Sequence, residues 1–164
     1  MKTTAWARKM SVTVLGLGYL PVAPGTWGSA GAALVYLALR QAPLWVATGG
    51  LVLLTLVSLV VGVKICPWAE NHYGAKDPSA FVLDEAAGYW LGCLLFWWHS
   101  PLASAIAVFV AFRIFDVLKP FPVSRLEELP AGWGVMLDDL CAAVYSALLL
   151  WPVCFFVIDP LTGN

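Results

Sequence analysis

Between Phe112 and Asp139 the chain carries Arg113, Asp116 and Lys119 at intervals of three and closes on an adjacent acid pair, Asp138 and Asp139. A second adjacent pair, Asp84 and Glu85, lies upstream. Residues three apart share a helix face. Arg113, Asp116 and Lys119 are therefore expected to point the same way, two cations flanking one carboxylate, until Pro120 and Pro122 end the helix. A single acid in the first turn of a helix suits the helix dipole and needs no catalytic role. Two adjacent pairs and a fifth acid at one level ask for more, because gathered carboxylates repel unless a cation holds them together. Hard oxygen ligands suit magnesium, which is bound by a few carboxylates together with substrate phosphate. Successive residues diverge by about 100° around a helix, so one member of each pair can ligate metal while the other binds substrate or caps. Arg113 can grip a phosphate bidentately and Lys119 can act beside it as a point charge.

The turn Pro24 to Ser29, P-G-T-W-G-S, adds backbone amides, the hydroxyls of Thr26 and Ser29 and a helix start, which is anion-binding chemistry. No G-K-[ST] follows, so it is not a Walker loop. His72 could donate a proton to a leaving group, although a lone histidine in a polar interval is more often incidental. Glu70 and Asp77 have no assigned partner.

These groups sit in a very apolar chain. Of 164 residues 61% are hydrophobic and 12% charged, against about 45 to 50% and about 25% in soluble domains. The composition is that of a membrane protein, in a single domain spanning 1–164. The formal net charge of -1 says nothing about nucleic acid, and with no basic tract rich enough to suggest one, no nucleic-acid partner is expected. Cys66, Cys93, Cys141 and Cys154 lie in or beside apolar runs without a C-x-x-C spacing and read as small buried hydrophobes; none begins a C-x5-R loop. The first residues resemble the charged and apolar regions of a signal peptide but lack a small-residue cleavage site, so the N-terminus is expected to stay.

The elements that must position the charges follow in order. A basic, polar start to residue 10 leads into a Gly/Pro-rich stretch, expected to be a short helix or re-entrant segment. Thr26 or Ser29 is expected to cap the helix that ends near Arg40. Leu44 to Val63 is of full spanning length. A polar interval, residues 64–80, follows. The next span is read over residues 81–98, where Gly88 and Gly92 form a G-x-x-x-G pair that lets helices approach. His99, Ser100 and Pro101 are read as a tight turn, residues 102–118 as another span, and Val135 to Ile158 as a last helix bent near Pro152. The fold class is all-α: a polytopic membrane bundle of four to five spanning helices. Threaded through a bilayer, this path puts every charged cluster on one side. Lys2, Arg8, Lys9, Lys64, Lys76, Arg113, Lys119 and Arg125 fall there and Arg40 opposite, so the charged side is expected to be cytoplasmic. Trp27, Trp68 and Trp133 would mark that interface, and Trp45, Trp97 and Trp98 the other.

Four blocks, P-x-A-P-G-T-W-G-S at Pro21 to Ser29, V-L-D-E-x-x-G at Val82 to Gly88, F-R-I-F-D-V-L-K-P-F-P at Phe112 to Pro122 and G-W-G-V-M-L-D-D at Gly132 to Asp139, resemble the phosphatidylglycerophosphatase A family of bacterial membrane lipid phosphatases. The resemblance implies magnesium-dependent removal of the terminal phosphate from phosphatidylglycerophosphate, a phospholipid substrate, at the inner membrane, giving phosphatidylglycerol, a precursor of cardiolipin. The family's charged positions fall on Asp84, Glu85, Arg113, Asp116, Lys119, Asp138 and Asp139. The five acids are then the candidate catalytic residues. Asp84, Glu85, Asp138 or Asp139 would hold magnesium, while Arg113, Lys119, Thr26 and Ser29 would bind substrate. Direct attack by water and a phospho-aspartate intermediate are both compatible with this set. The D-G-x2-A-R run of the phosphatidyltransferases is absent. A small ion-coupled transporter subunit is the non-enzyme alternative; it predicts acids near mid-membrane.

Overall fold

The computed structural model describes residues 2–98, 100–121, 123–126, 129–130 and 132–158; His99 and Pro122 lie outside that set. Within it the chain is helical: α1 Lys2–Val12, a 3-10 turn Leu17–Tyr19, α2 Pro24–Leu39, α3 Leu44–Tyr73, α4 Leu83–Leu95, α5 Pro101–Leu118, the single turn α6 Val123–Leu126, and α7 Trp133–Val153, which passes into a π-helical turn Cys154–Ile158. The Gly/Pro-rich stretch is thus a short helical segment, and the break expected near Pro152 comes just after it.

Helix α4 is the axis of the bundle, packed by α2, α3, α5 and α7. Small residues make this possible. A Cβ on Gly88 would lie 2.7 Å from the Phe112 ring and 2.9 Å from the Asp139 carbonyl, and one on Gly92 would lie 2.8 Å from Val108. The G-x-x-x-G pair therefore brings α5 and α7 against α4, as its spacing suggests. Polar ties fix the register: Trp90 Nε1 donates to the Ala32 carbonyl at 3.0 Å and Tyr89 donates to the Ala105 carbonyl at 2.9 Å. Gly88→Val is expected to destabilise the bundle by about 2 to 3 kcal/mol, as overpacking does, read as a fall in the detergent melting temperature.

Among the described residues, three helices are long and apolar enough to cross a membrane: α3, α5, and α7 continued to Phe156. Their outer faces are apolar and exposed. On α5, Leu102, Ile106, Val110, Ile114 and Val117 form such a stripe at helical spacing, which is stable against lipid and not against water. Helix α4, at 13 residues, is about 20 Å long at 1.5 Å per residue, short of a hydrocarbon core of about 30 Å. The span read over residues 81–98 ends early because Phe96 turns to extended backbone.

Three local expectations are corrected. Helix α3 does not stop at Val63 but continues through Pro67 to Tyr73, because Cys66 and Ala69 are buried in a cluster with Val12, Phe81, Val135 and Met136 while Lys64 and His72 face outward. Helix α2 starts at Pro24 behind a left-handed Ala23, so neither Thr26 nor Ser29 caps it. Helix α7 begins at Trp133 rather than Val135. Its cap, Gly132, has φ +82°, and a Cβ there would meet Cys66 at 2.6 Å; only glycine suits both the dihedral and the approach to α3. In the turn before α5, Ser100 Oγ accepts the Ala103 amide at 3.0 Å and Pro101 opens the helix. The four cysteines are free thiols, three of them buried.

Candidate active site

The seven charged residues singled out by type and spacing converge. Asp84 and Glu85 come from the first turn of α4, Arg113 and Asp116 from the last turns of α5, Lys119 from its cap, and Asp138 and Asp139 from the second turn of α7. All line one cavity of about 290 Å³, with Gly25, Asp77 and Ser79 also in its wall. Relative exposure of Asp84, Asp138 and Asp139 is 6%, 5% and 3%. Because α7 starts two residues early, Asp138 and Asp139 lie beyond the first turn, where a helix-capping role no longer explains them.

The cations divide between the acids. Arg113 Nη1 lies 2.6 Å from Asp116 Oδ2 and 3.9 Å from Glu85 Oε1. Lys119 Nζ lies 2.9 Å from Asp138 Oδ2. The expected common face of Arg113, Asp116 and Lys119 is only partly realised. Helix α5 ends at Leu118, and Lys119, with φ +42°, is its left-handed cap, its side chain reaching α7.

Asp84, Glu85 and Asp139 are left as a trio, each with a carboxylate oxygen within 4.8 Å of the others'. Glu85 Oε2 and Asp139 Oδ2 are buried without a hydrogen-bond donor among the described residues. Buried oxygens of this kind are costly unless a cation or proton meets them, so the donor set fits a hard divalent ion. Asp138 stands apart from the trio: one oxygen takes Lys119 and the other the Asp139 amide at 2.9 Å.

The remaining candidates fall elsewhere. Ser29 is buried and donates to the Gly25 carbonyl at 3.0 Å, and neither it nor Thr26 is in the cavity wall. What that turn contributes is backbone: a Cβ on Gly25 would collide with Glu85 Oε1 and come within 3.0 Å of Arg113 Nη1. His72 stacks on Trp68 with ring centroids 4.9 Å apart, and Glu70 lines a separate shallow hollow. Asp77 and Ser79 are the residues that spacing did not identify as part of the site. The connection from α3 has to return to the start of α4, and in doing so it lays both along the wall.

Buried carboxylates and two cations gathered where α4, α5 and α7 meet, in a protein whose outer helix faces are apolar, are the groups that a hydrolase of phosphorylated lipids needs. The profile described as phosphatidylglycerophosphatase A matches residues 10–154. Among curated proteins, a Bacteroides thetaiotaomicron protein with the provisional name phosphatidylinositol-3-phosphatase is 35% identical over 161 residues, 92% of this chain and 95% of its own. Phosphatidylglycerophosphatase A of Haemophilus influenzae is 30% identical over 152 residues, 87% of this chain and 86% of its own. That of Escherichia coli is 31% identical over 137 residues, 83% and 77%. No solved structure matches. The chain belongs to the phosphatidylglycerophosphatase A family. It is an enzyme, a phosphoric monoester hydrolase of the lipid phosphatase class.

Proposed function

We propose that the chain hydrolyses the terminal phosphate monoester of phosphatidylglycerophosphate, giving phosphatidylglycerol and phosphate, with magnesium held by Asp84, Glu85 and Asp139. The observation that carries this reading is the single cavity in which three carboxylates gather within 4.8 Å while Arg113 and Lys119 line the same wall. When bound, magnesium would supply Lewis-acid stabilisation of the phosphoryl oxygens and a more acidic water. Arg113, braced by Asp116, presents guanidinium donors to the phosphoryl oxygens, and Lys119, held by Asp138, adds a second positive charge. Water forms the new P–O bond in line with the ester oxygen, which leaves as the glycerol hydroxyl of the product. Asp138 is thereby proposed as a positioning residue for Lys119 rather than as a metal ligand.

The lipid-facing stripe of α5 ends beside Asp116 and Lys119, so acyl chains can remain in the bilayer while the phosphate enters the cavity. We further read the bundle as four to five crossings, counting α2 and α4 with the three long helices, in the bacterial inner membrane with the acidic cavity toward the cytoplasm. The eight lysines and arginines expected at the charged side support that orientation. The name carried by the Bacteroides relative favours a second reading, a phosphorylated inositol lipid as substrate, which keeps the same phosphomonoester chemistry.

The test is phosphate release by the purified protein from phosphatidylglycerophosphate and from phosphatidylinositol 3-phosphate, with magnesium or with chelator. Turnover of the first, falling about 10³-fold in chelator and returning with magnesium, is expected. Absence of turnover by well-folded protein in lipid as well as in detergent would overturn the assignment. Preference for the inositol lipid would select the second reading.

A further inference from the structure

The end of the bundle away from the acids holds a second cavity, of about 150 Å³, whose wall includes Tyr36, Arg40, Thr48, Cys93, Leu94 and Trp97. Arg40 follows Gly25 by 15 residues along α2 and its cap, about 22 Å at 1.5 Å per residue, so the two cavities are separate. Arg40 is the one charged residue in this wall among the described residues. Its Nε is buried without an acceptor, and the ion pairs of the described carboxylates do not include it. A guanidinium has five N–H donors and no acceptor, and burying part of it unpaired is unfavourable. Helix α3 starts in the same wall, at Leu44, with no acid in its first turn, which adds partial positive charge. Leu44, Trp45 and Trp97 are exposed apolar residues around this end.

We propose that this cavity binds the phosphate of an anionic phospholipid in the leaflet opposite the acidic cavity, with Arg40 as its cation. Among the described residues the wall offers positive charge and no carboxylate that would favour a cationic headgroup. A free phosphate would satisfy Arg40 equally well but would leave the apolar rim uncovered; a lipid meets both, its acyl chains lying against Leu44 and Trp97. The site is independent of the hydrolytic reaction and of magnesium.

Native mass spectrometry of the full chain, released from micelles doped with phosphatidylserine or phosphatidylcholine, tests the proposal. Wild type is expected to retain phosphatidylserine at concentrations about tenfold lower than Arg40→Gln requires, with Arg40→Lys between them. Phosphatidylcholine is expected to show no such difference, and excess inorganic phosphate to leave the retained lipid in place. Melting in lipid-free detergent reports whether each variant folds; Thr48→Val, which keeps the cation but removes a wall hydroxyl, provides the same comparison should Arg40→Gln fail. Equal phosphatidylserine retention by wild type and the folded variants overturns the site. Displacement by inorganic phosphate overturns the lipid as its occupant.

Discussion

Asp139→Asn is expected to lower phosphate release on the order of 10³-fold, about 4 kcal/mol of transition-state stabilisation, while raising the melting temperature of the metal-free protein. Asp139 is 3% exposed, shares a 4.8 Å cluster with Asp84 and Glu85, and has an Oδ2 that no group among the described residues satisfies. Asparagine keeps the shape and removes the charge. Magnesium then loses one of its three proposed anionic ligands, and developing charge on the phosphoryl group is less well met. The same change relieves repulsion among buried carboxylates, a gain of about 1 kcal/mol of the kind found when a strained site is relaxed. Turnover at saturating magnesium and melting with chelator, measured on one preparation, check both signs. A folding defect would lower both readouts. Unchanged turnover per folded molecule would sink the proposed role.

How far the sequence reaches depends on what sets each feature. That Asp84, Glu85, Arg113, Asp116, Lys119, Asp138 and Asp139 meet in one place follows from hydrophobic runs of known length, which put the ends of successive helices at one level. Which cation serves which acid does not follow, because it depends on where a helix stops. Lys119 reads as a third residue on one face of α5, yet the helix ends one residue earlier and a left-handed cap sends its side chain to Asp138. The polar composition of residues 64–80 reads as a loop, but the buried faces of Cys66 and Ala69 keep α3 helical to Tyr73. Tertiary burial outweighs local propensity there. That same extension brings the connection back with Asp77 and Ser79 against the acids, a placement set by packing and invisible in spacing. Hydroxyls at Thr26 and Ser29 suggest a substrate cradle, whereas the contribution of their turn is the missing side chain of Gly25.

Gly25→Ala is the complementary experiment, since it removes no charged group and is expected to reduce turnover about 10²-fold. Gly25 sits in the first turn of α2, where its Cα faces Glu85 and Arg113. An added methyl would overlap Glu85 Oε1, and with Arg113 Nη1 3.0 Å away on the same side, at least one of the two must move. Displacements of about 1 Å in a preorganised site cost about that factor. Either movement disturbs the site, because Arg113 is anchored to Asp116 at 2.6 Å and Glu85 belongs to the carboxylate trio. Gly28→Ala, one turn further on, is the control: its Cβ would meet Val82, 2.7 Å away and not in the cavity wall. It is expected to destabilise the helix packing about as much while sparing more of the turnover per folded molecule. Equal turnover losses in the two variants, corrected for folded fraction, would mean that Gly25 serves packing alone. A loss confined to Gly25→Ala, and deepest at low magnesium, would place the α2 start among the groups that hold Glu85 in register with Asp84 and Asp139.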